Sequence, residues 1–325
     1  MPLPMTRNRM KEEAPFKRAP IFLYLYASTL FSLSLTGLLF CAEPPGISAT
    51  PKSEKKQKPS EKASDEKATT QPKGVHCLLK AYPKKLSGFS RNRIIWKDAS
   101  SMVYGDKKEK KVSTKKRTHQ EILNNPSLKD QLSQSYPVGR SYTVPPPKNH
   151  DPGRIRYEPF FKKMYGKNVK EVRRQLTTIR WMEKSFNHSI QVTKINEVHK
   201  KLQSVSAMLE QLDPRIKTKY LKKKPGTFVP RQIKGTRRLS VHSFGIAIDI
   251  AVSQADYWRW DLISPDGKLH YKNRIPLEIV ESFEKEGFIW GGKWYHYDTM
   301  HFEYRPELLV SPCAALSKKT MHLKK

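Results

Sequence analysis

Ser240-Val-His242-Ser-Phe-Gly245-Ile-Ala247-Ile-Asp249 is the most informative stretch of the chain. Its last residues begin the run Gly245–Val252, Gly-Ile-Ala-Ile-Asp-Ile-Ala-Val, in which Asp249 is the lone charged residue. A carboxylate in such a strand-like run is costly to bury unpaired, so it predicts a cation or strong hydrogen-bond donors beside it. His242 stands seven residues upstream, and Gly245 and Ala247 are small enough to let backbone or a ligand approach. A second stretch, Trp294-Tyr-His296-Tyr-Asp298-Thr-Met-His301-Phe-Glu303, sets Asp298 three residues before His301. Two imidazoles and one carboxylate are the donors that zinc takes in hydrolases, where three protein ligands leave a fourth position for water. His242, Asp249 and His301 are therefore the expected ligands of a Zn2+ cofactor. Asp298 is the expected general base, taking a proton from water and passing it to a leaving group.

The flanking segments predict the frame around these residues. Asn168–Phe186 carries Val169, Val172, Leu176, Ile179 and Met182 at helical spacing. Ile195–Leu212 repeats the pattern with Ile195, Val198, Leu202, Val205, Met208, Leu209 and Leu212. A third helix is expected over Ile275–Glu286, with Pro276 in its first turn and Gly287 as its stop. Phe288–Trp294 and Met300–Tyr304 read as extended. Helices gathered first and short strands after them predict an α+β domain over residues 151–312, with helices packed on a small antiparallel sheet.

The two stretches resemble the zinc D-alanyl-D-alanine carboxypeptidases of the vancomycin-resistance type and their relatives, the L-alanyl-D-glutamate endopeptidases. Ser240, His242, Gly245, Ala247 and Asp249 match each fixed position of that family's S-x-H-x-x-G-x-A-x-D pattern. Asp298, His301, Phe302 and Glu303 match its carboxylate-x-x-His-Phe-Glu pattern. The resemblance implies a zinc site of the Hedgehog/D,D-peptidase-like fold, with His242, Asp249 and His301 as ligands and Asp298 as base. Phe228-Val-Pro-Arg231-Gln-Ile-Lys-Gly235-Thr236 resembles the family's preceding strand, whose arginine faces the site. Arg231 is then the group that polarises a scissile carbonyl or holds a substrate carboxylate, with Arg237 and Arg238 as neighbouring alternatives. The implied function is zinc-dependent hydrolysis of D-amino-acid-containing stem peptides of peptidoglycan, in the manner of a D-alanyl-D-alanine carboxypeptidase. Many carboxypeptidase relatives carry Glu where Asp298 stands, so an L-alanyl-D-glutamate-type endopeptidase stays an alternative. A non-catalytic zinc-containing wall-binding protein is another.

The remainder of the 325 residues speaks to location and partners. Lys and Arg number 62 against 30 Asp and Glu, a net charge of +32, while mean hydropathy is −0.70. That charge calls for an anionic partner, and nucleic acid, anionic lipid or an acidic wall polymer would each answer it. No zinc-finger or aromatic-rich RNA-binding motif accompanies it, so no nucleic acid is expected. Ile21–Ala42 is apolar, uncharged and preceded by five basic residues, the pattern of a signal sequence or membrane anchor over residues 1–42. Export to the periplasm or cell envelope follows, with Cys41 as a lipidation candidate. Residues 43–73 read as a disordered tether, 74–150 as a basic, poorly ordered region that solvates or attracts an anionic envelope surface, and 313–325 as a basic tail. Cys77 and Cys313 are either a disulfide pair or two free thiols. Trp290, Trp294 and Tyr297 read as core or as groove lining. His296 is a hydrogen-bond donor in the site or is exposed, and Glu303 orients a ligand imidazole or lies at the surface. His188, His199 and His270 have no partnered spacing and read as surface residues.

Overall fold

A computed structural model of the protein describes residues 71–105, 117–260 and 269–315. The expected leader, all of the tether before residue 71, residues 106–116 of the basic region and the tail beyond 315 lie outside the described residues. Among the described residues no helix is long and apolar enough to cross a membrane.

The chain starts with helix α1 (Lys73–Ala81), followed by strands β1 (Leu86–Ser90), β2 (Arg93–Trp96) and β3 (Ser101–Val103). Short helices α2 (His119–Asn124) and α3 (Leu128–Gln131) lead to β4 (Tyr136–Pro137). Helices α4 (Glu158–Tyr165) and α5 (Val169–Arg174) precede the hairpin β5 (Leu176–Trp181) and β6 (His188–Thr193). Helices α6 (Val198–Leu209) and α7 (Pro214–Tyr220), strand β7 (Ala247–Asp249), helix α8 (Leu277–Lys285) and strands β8 (Phe288–Trp290), β9 (His301–Tyr304) and β10 (Ala314–Ala315) complete it. The architecture is α+β with small antiparallel sheets, in the orders β1-β2-β3, β5-β6 and β7-β9-β8; β10 pairs with β4 in parallel.

Two helical expectations hold. α6 and α8 fall within Ile195–Leu212 and Ile275–Glu286, and Gly287 adopts φ 92° at the end of α8. The expectation of one helix over Asn168–Phe186 is corrected: α5 ends at Arg174 and β5 begins at Leu176. Thr177, Thr178 and Ile179 are β-branched, and Ile179 and Trp181 alternate inward along β5, a period of two that the wider spacing hid. Helices are also not gathered ahead of the strands, since two sheets precede α6.

Residues 74–105 and 117–150 are not poorly ordered, which corrects the reading of that region. Val75, Leu78, Tyr82, Ile94, Trp96 and Leu128 are buried in the same core as Phe244, Ile248 and Phe302. α2 and α3 each start with a capping box, Thr118 with Glu121 and Ser127 with Asp130. Lys80, Lys84 and Lys97 are exposed, so the basic composition describes a solvated face over an apolar one.

The cysteine alternative resolves in favour of a disulfide between Cys77 and Cys313, a sequence separation of 236. Cys313 and Ala314 thus belong to the fold rather than to a tail; Ala314 pairs with Tyr136. Closing so long a loop removes much chain entropy from the unfolded state, worth about 3–5 kcal/mol. Cys313→Ser is expected to lower unfolding stability by about that amount, and a reducing agent to lower the parent protein to the same level. Equal denaturation midpoints for the oxidised parent and the variant would count against the bridge.

Candidate metal centre and active-site cavity

The sheet β7-β9-β8 brings the two sequence stretches together. Asp249 at the end of β7 lies directly opposite His301 at the start of β9. Facing residues in an antiparallel pair have Cβ atoms about 4.5–5.5 Å apart, so pairing alone sets these side chains within reach of each other. Alternation along β9 puts Glu303 on the face of His301 and sends Phe302 into the core, where its ring stacks on Phe283 at 3.9 Å. His242 comes from a 3-10 turn, Val241–Phe244, that ends at Gly245 with φ 67°. A Cβ at Gly245 would meet Leu176 Cδ2 at 2.8 Å and the Thr193 backbone nitrogen at 3.2 Å, so the turn needs glycine for both conformation and space.

The three expected ligands converge. His242 Nε2 lies 3.1 Å from Asp249 Oδ1 and 3.2 Å from His301 Nδ1, and His301 Nδ1 lies 3.0 Å from Asp249 Oδ1. The far side of each ring fixes its tautomer. His242 Nδ1 is 2.6 Å from the Thr227 carbonyl, which only accepts, so this nitrogen carries the proton and Nε2 presents its lone pair. His301 Nε2 donates to Glu303 Oε2 at 3.1 Å, leaving the lone pair of Nδ1 pointed at Asp249 and His242. Three potential metal-donor atoms thus face one another. Donors about 2.0–2.1 Å from a tetrahedral zinc lie about 3.3 Å from one another, close to the observed edges. The donor set fits a divalent metal ion.

The electrostatics agree. Burial alone would raise the Asp249 carboxyl, but the two imidazoles outweigh it and hold Asp249 well below the usual carboxylate range. Burial pulls the His301 pKa down, yet hydrogen bonds to Asp249 and Glu303 push it up to about 10. That excess of negative charge would attract a cation, and a divalent ion held by His242, Asp249 and His301 would take the place of the proton. Glu303 is fully buried and kept ionised despite burial by Arg156, His301 and Arg305. It is thus buried and bonded to the His301 imidazole rather than at the surface, which decides between the two readings the sequence left for its place.

Asp298 stands at the floor of the same cavity. Its Oδ1 is buried with no hydrogen-bond partner. Burial, then the nearby Asp249 charge, push its carboxyl up to about 6, against the pull of the imidazoles. Gly291 makes this placement feasible, because a Cβ there would come within 2.5 Å of the Asp298 carbonyl oxygen. Arg231 lines the cavity as well. Its segment is a loop rather than the expected strand, but it is tied to the histidine turn: Ser240 N donates to the Arg231 carbonyl at 3.0 Å, and Arg231 N donates to Ser243 Oγ at 3.0 Å.

Residues outside both motifs support the site, and no spacing announced them. Asp151 is fully buried and accepts from the His296 backbone N–H at 2.8 Å and from His296 Nδ1 at 2.7 Å. His119 Nε2 and Arg154 Nη1 reach the same carboxylate at 3.3 and 3.4 Å. These partners outweigh burial and hold Asp151 well below the usual carboxylate range. Arg154 adds a balancing positive charge beside this His119–Asp151–His296 group, which fixes the loop that carries Asp298. Trp290 and Tyr297 are core, bonded to the Thr299 and His270 carbonyls. Trp294 is both: it is buried, donates to the Pro152 carbonyl at 2.7 Å, and lines the cavity beside the His301 ring. His188, His199 and His270 lie away from the cavity.

The cavity above the cluster has a volume of about 690 Å³ and is lined by His242, Asp249, His301, Asp298, Arg231 and aromatic residues from Tyr257 to Trp260. Comparison with known families gives a match across both motifs. Residues 234–304 match the D-alanyl-D-alanine carboxypeptidase family model. The resemblance carried by the two motifs therefore stands, and this part of the chain is D-alanyl-D-alanine carboxypeptidase-like. No curated protein and no solved structure matches the chain. The carboxypeptidase-like segment contains every expected site residue except Arg231, which lies three residues before it. Asp151, Arg154 and His119 also fall outside it.

Proposed function

We propose that the protein is an exported zinc-dependent peptidase with a D,D-peptidase-like fold. It hydrolyses stem peptides of peptidoglycan that contain D-amino acids, acting as a D-alanyl-D-alanine carboxypeptidase. The observation that carries this reading is the convergence of His242 Nε2, Asp249 Oδ1 and His301 Nδ1 within 3.2 Å, with the outer nitrogen of each ring already occupied. A zinc ion held by these atoms supplies Lewis acidity toward the scissile carbonyl and makes water nucleophilic at neutral pH. Asp298 takes a proton from the attacking water and returns it to the amine as the C–N bond breaks. Arg231, exposed on the cavity wall, holds the negative charge of the substrate's terminal carboxylate or of the carbonyl oxygen. Glu303 and the Thr227 carbonyl keep the imidazoles aimed.

Two features support action outside the cytoplasm. Residues 1–42 have the composition of an export leader, and the Cys77–Cys313 disulfide suits an oxidising compartment. The net charge of +32 supports contact with anionic envelope polymers or lipid.

Incubating the full chain with purified muropeptides, followed by mass analysis, tests the reading. Loss of a terminal D-alanine is expected, abolished by a chelator and restored by added zinc. Cleavage between L-alanine and D-glutamate would assign the endopeptidase reaction to the same site. Intact muropeptides in the presence of zinc would reject the peptidase reading in favour of a wall-binding protein.

A further inference from the structure

The cavity holds more positive charge than the proposed reaction uses. Arg154, Arg156, Arg231, Lys234, Arg238 and Arg259 all line it. Two of them are balanced, Arg154 by Asp151 and Arg156 by Glu303. Arg238 and Arg259 have no carboxylate partner among the described residues. Arg259 is held in place instead, donating to the Lys234 carbonyl at 3.1 Å and stacking over the Trp258 ring at 5.0 Å. Arg154 covers the same indole at 5.5 Å, so two guanidiniums share one aromatic support.

Arg238 is the outlier. It is half-buried, its Nε is buried without an acceptor, and it sits where the main cavity meets a smaller one of about 240 Å³. Burial, followed by repulsion from Arg156, Arg154 and Arg259, lowers its pKa to about 10. Its backbone is not free to swing away: Ile233 N donates to the Arg238 carbonyl at 2.8 Å, and Arg238 N donates to Thr236 Oγ1 at 3.2 Å, closing a turn. A half-buried guanidinium on a fixed backbone among others of like charge is unfavourable unless an anion completes it, and a planar fork suits a carboxylate best.

We propose that the substrate is an acidic peptide with a second carboxylate, bound by Arg238 with Arg259, in addition to the group assigned to Arg231. This inference rests on the peptidase reading for the nature of the ligand, while the anion subsite stands on the arginine cluster. The Trp258 indole supports the Arg259 guanidinium and the 233–238 turn fixes the Arg238 backbone, so less conformational freedom is lost when the carboxylate docks.

The test uses zinc-loaded full-length protein and short synthetic peptides ending in D-alanyl-D-alanine. A single glutamate is moved through three positions before the last bond, each peptide having a glutamine twin. Calorimetry is expected to show, at one position, glutamate binding at least about tenfold tighter than glutamine, a typical gain for a charged hydrogen-bonded pair. Arg238→Gln should reduce the ratio below about twofold, and Arg238→Lys should keep part of it, which separates charge recognition from misfolding. Arg259→Gln, at an exposed position, should reduce it partially. No discrimination at any position, or discrimination that survives Arg238→Gln, overturns the subsite. Hydrolysis of the same peptides separates the two readings. Tight glutamate-dependent binding without cleavage removes the peptidase and leaves the subsite, whereas cleavage with equal glutamate and glutamine binding does the reverse.

Discussion

His301→Ala is expected to abolish both stoichiometric zinc and peptide hydrolysis. The imidazole supplies one of three donor atoms, and its Nδ1 is within 3.2 Å of the other two. With it gone, His242 and Asp249 remain as a two-atom site. Changing groups that merely orient ligands typically costs about 10–100-fold in metal affinity, so removing a donor should cost at least about 100-fold. Glu303 would keep Arg156 and Arg305 as partners, so the sheet should survive the substitution. Zinc content per folded chain and turnover of muropeptides are the measurements. A variant that retains one tightly held zinc would remove His301 from the ligand set.

Asp298→Ala should separate chemistry from metal binding. Asp298 offers none of the mutually close donor atoms; His242, Asp249 and His301 form that group without it. Zinc content should stay at the level of the parent protein. Hydrolysis should fall by about 10²–10⁴-fold, the usual contribution of a positioned general base. The carboxyl suits the role because burial and the Asp249 charge raise it to about 6, near the pH at which a base must both accept and release a proton. Asp298→Asn removes the basicity with little change of volume and should give the same loss. Parent-like turnover in either variant would assign the proton transfer elsewhere.

The candidate site was legible in the sequence because it depends on local facts. His242, Asp249, Asp298 and His301 stand in two short segments whose spacings strand alternation and a glycine turn can read, and the 234–304 family match follows the same segments. α6 and α8 were legible for a similar reason, since a helix reports its buried face every three to four residues. The α5–β5 junction was not, because Val169 to Met182 satisfies a helical spacing while pairing with β6 decides the conformation from outside.

By itself, then, the sequence picked out the two segments whose side chains converge and the runs apolar enough to enclose them. Only the tertiary structure decided which distant charges meet. The Asp249–His301 strand pair, the hold of Asp151 on His296, the burial of Glu303 between Arg156 and Arg305, and the Cys77–Cys313 bridge all join residues by long-range packing. The physical reason is that periodicity and propensity act over a few residues, whereas electrostatic pairing acts through space. A basic stretch such as 74–105 reads as solvated until its apolar face finds the core that covers it.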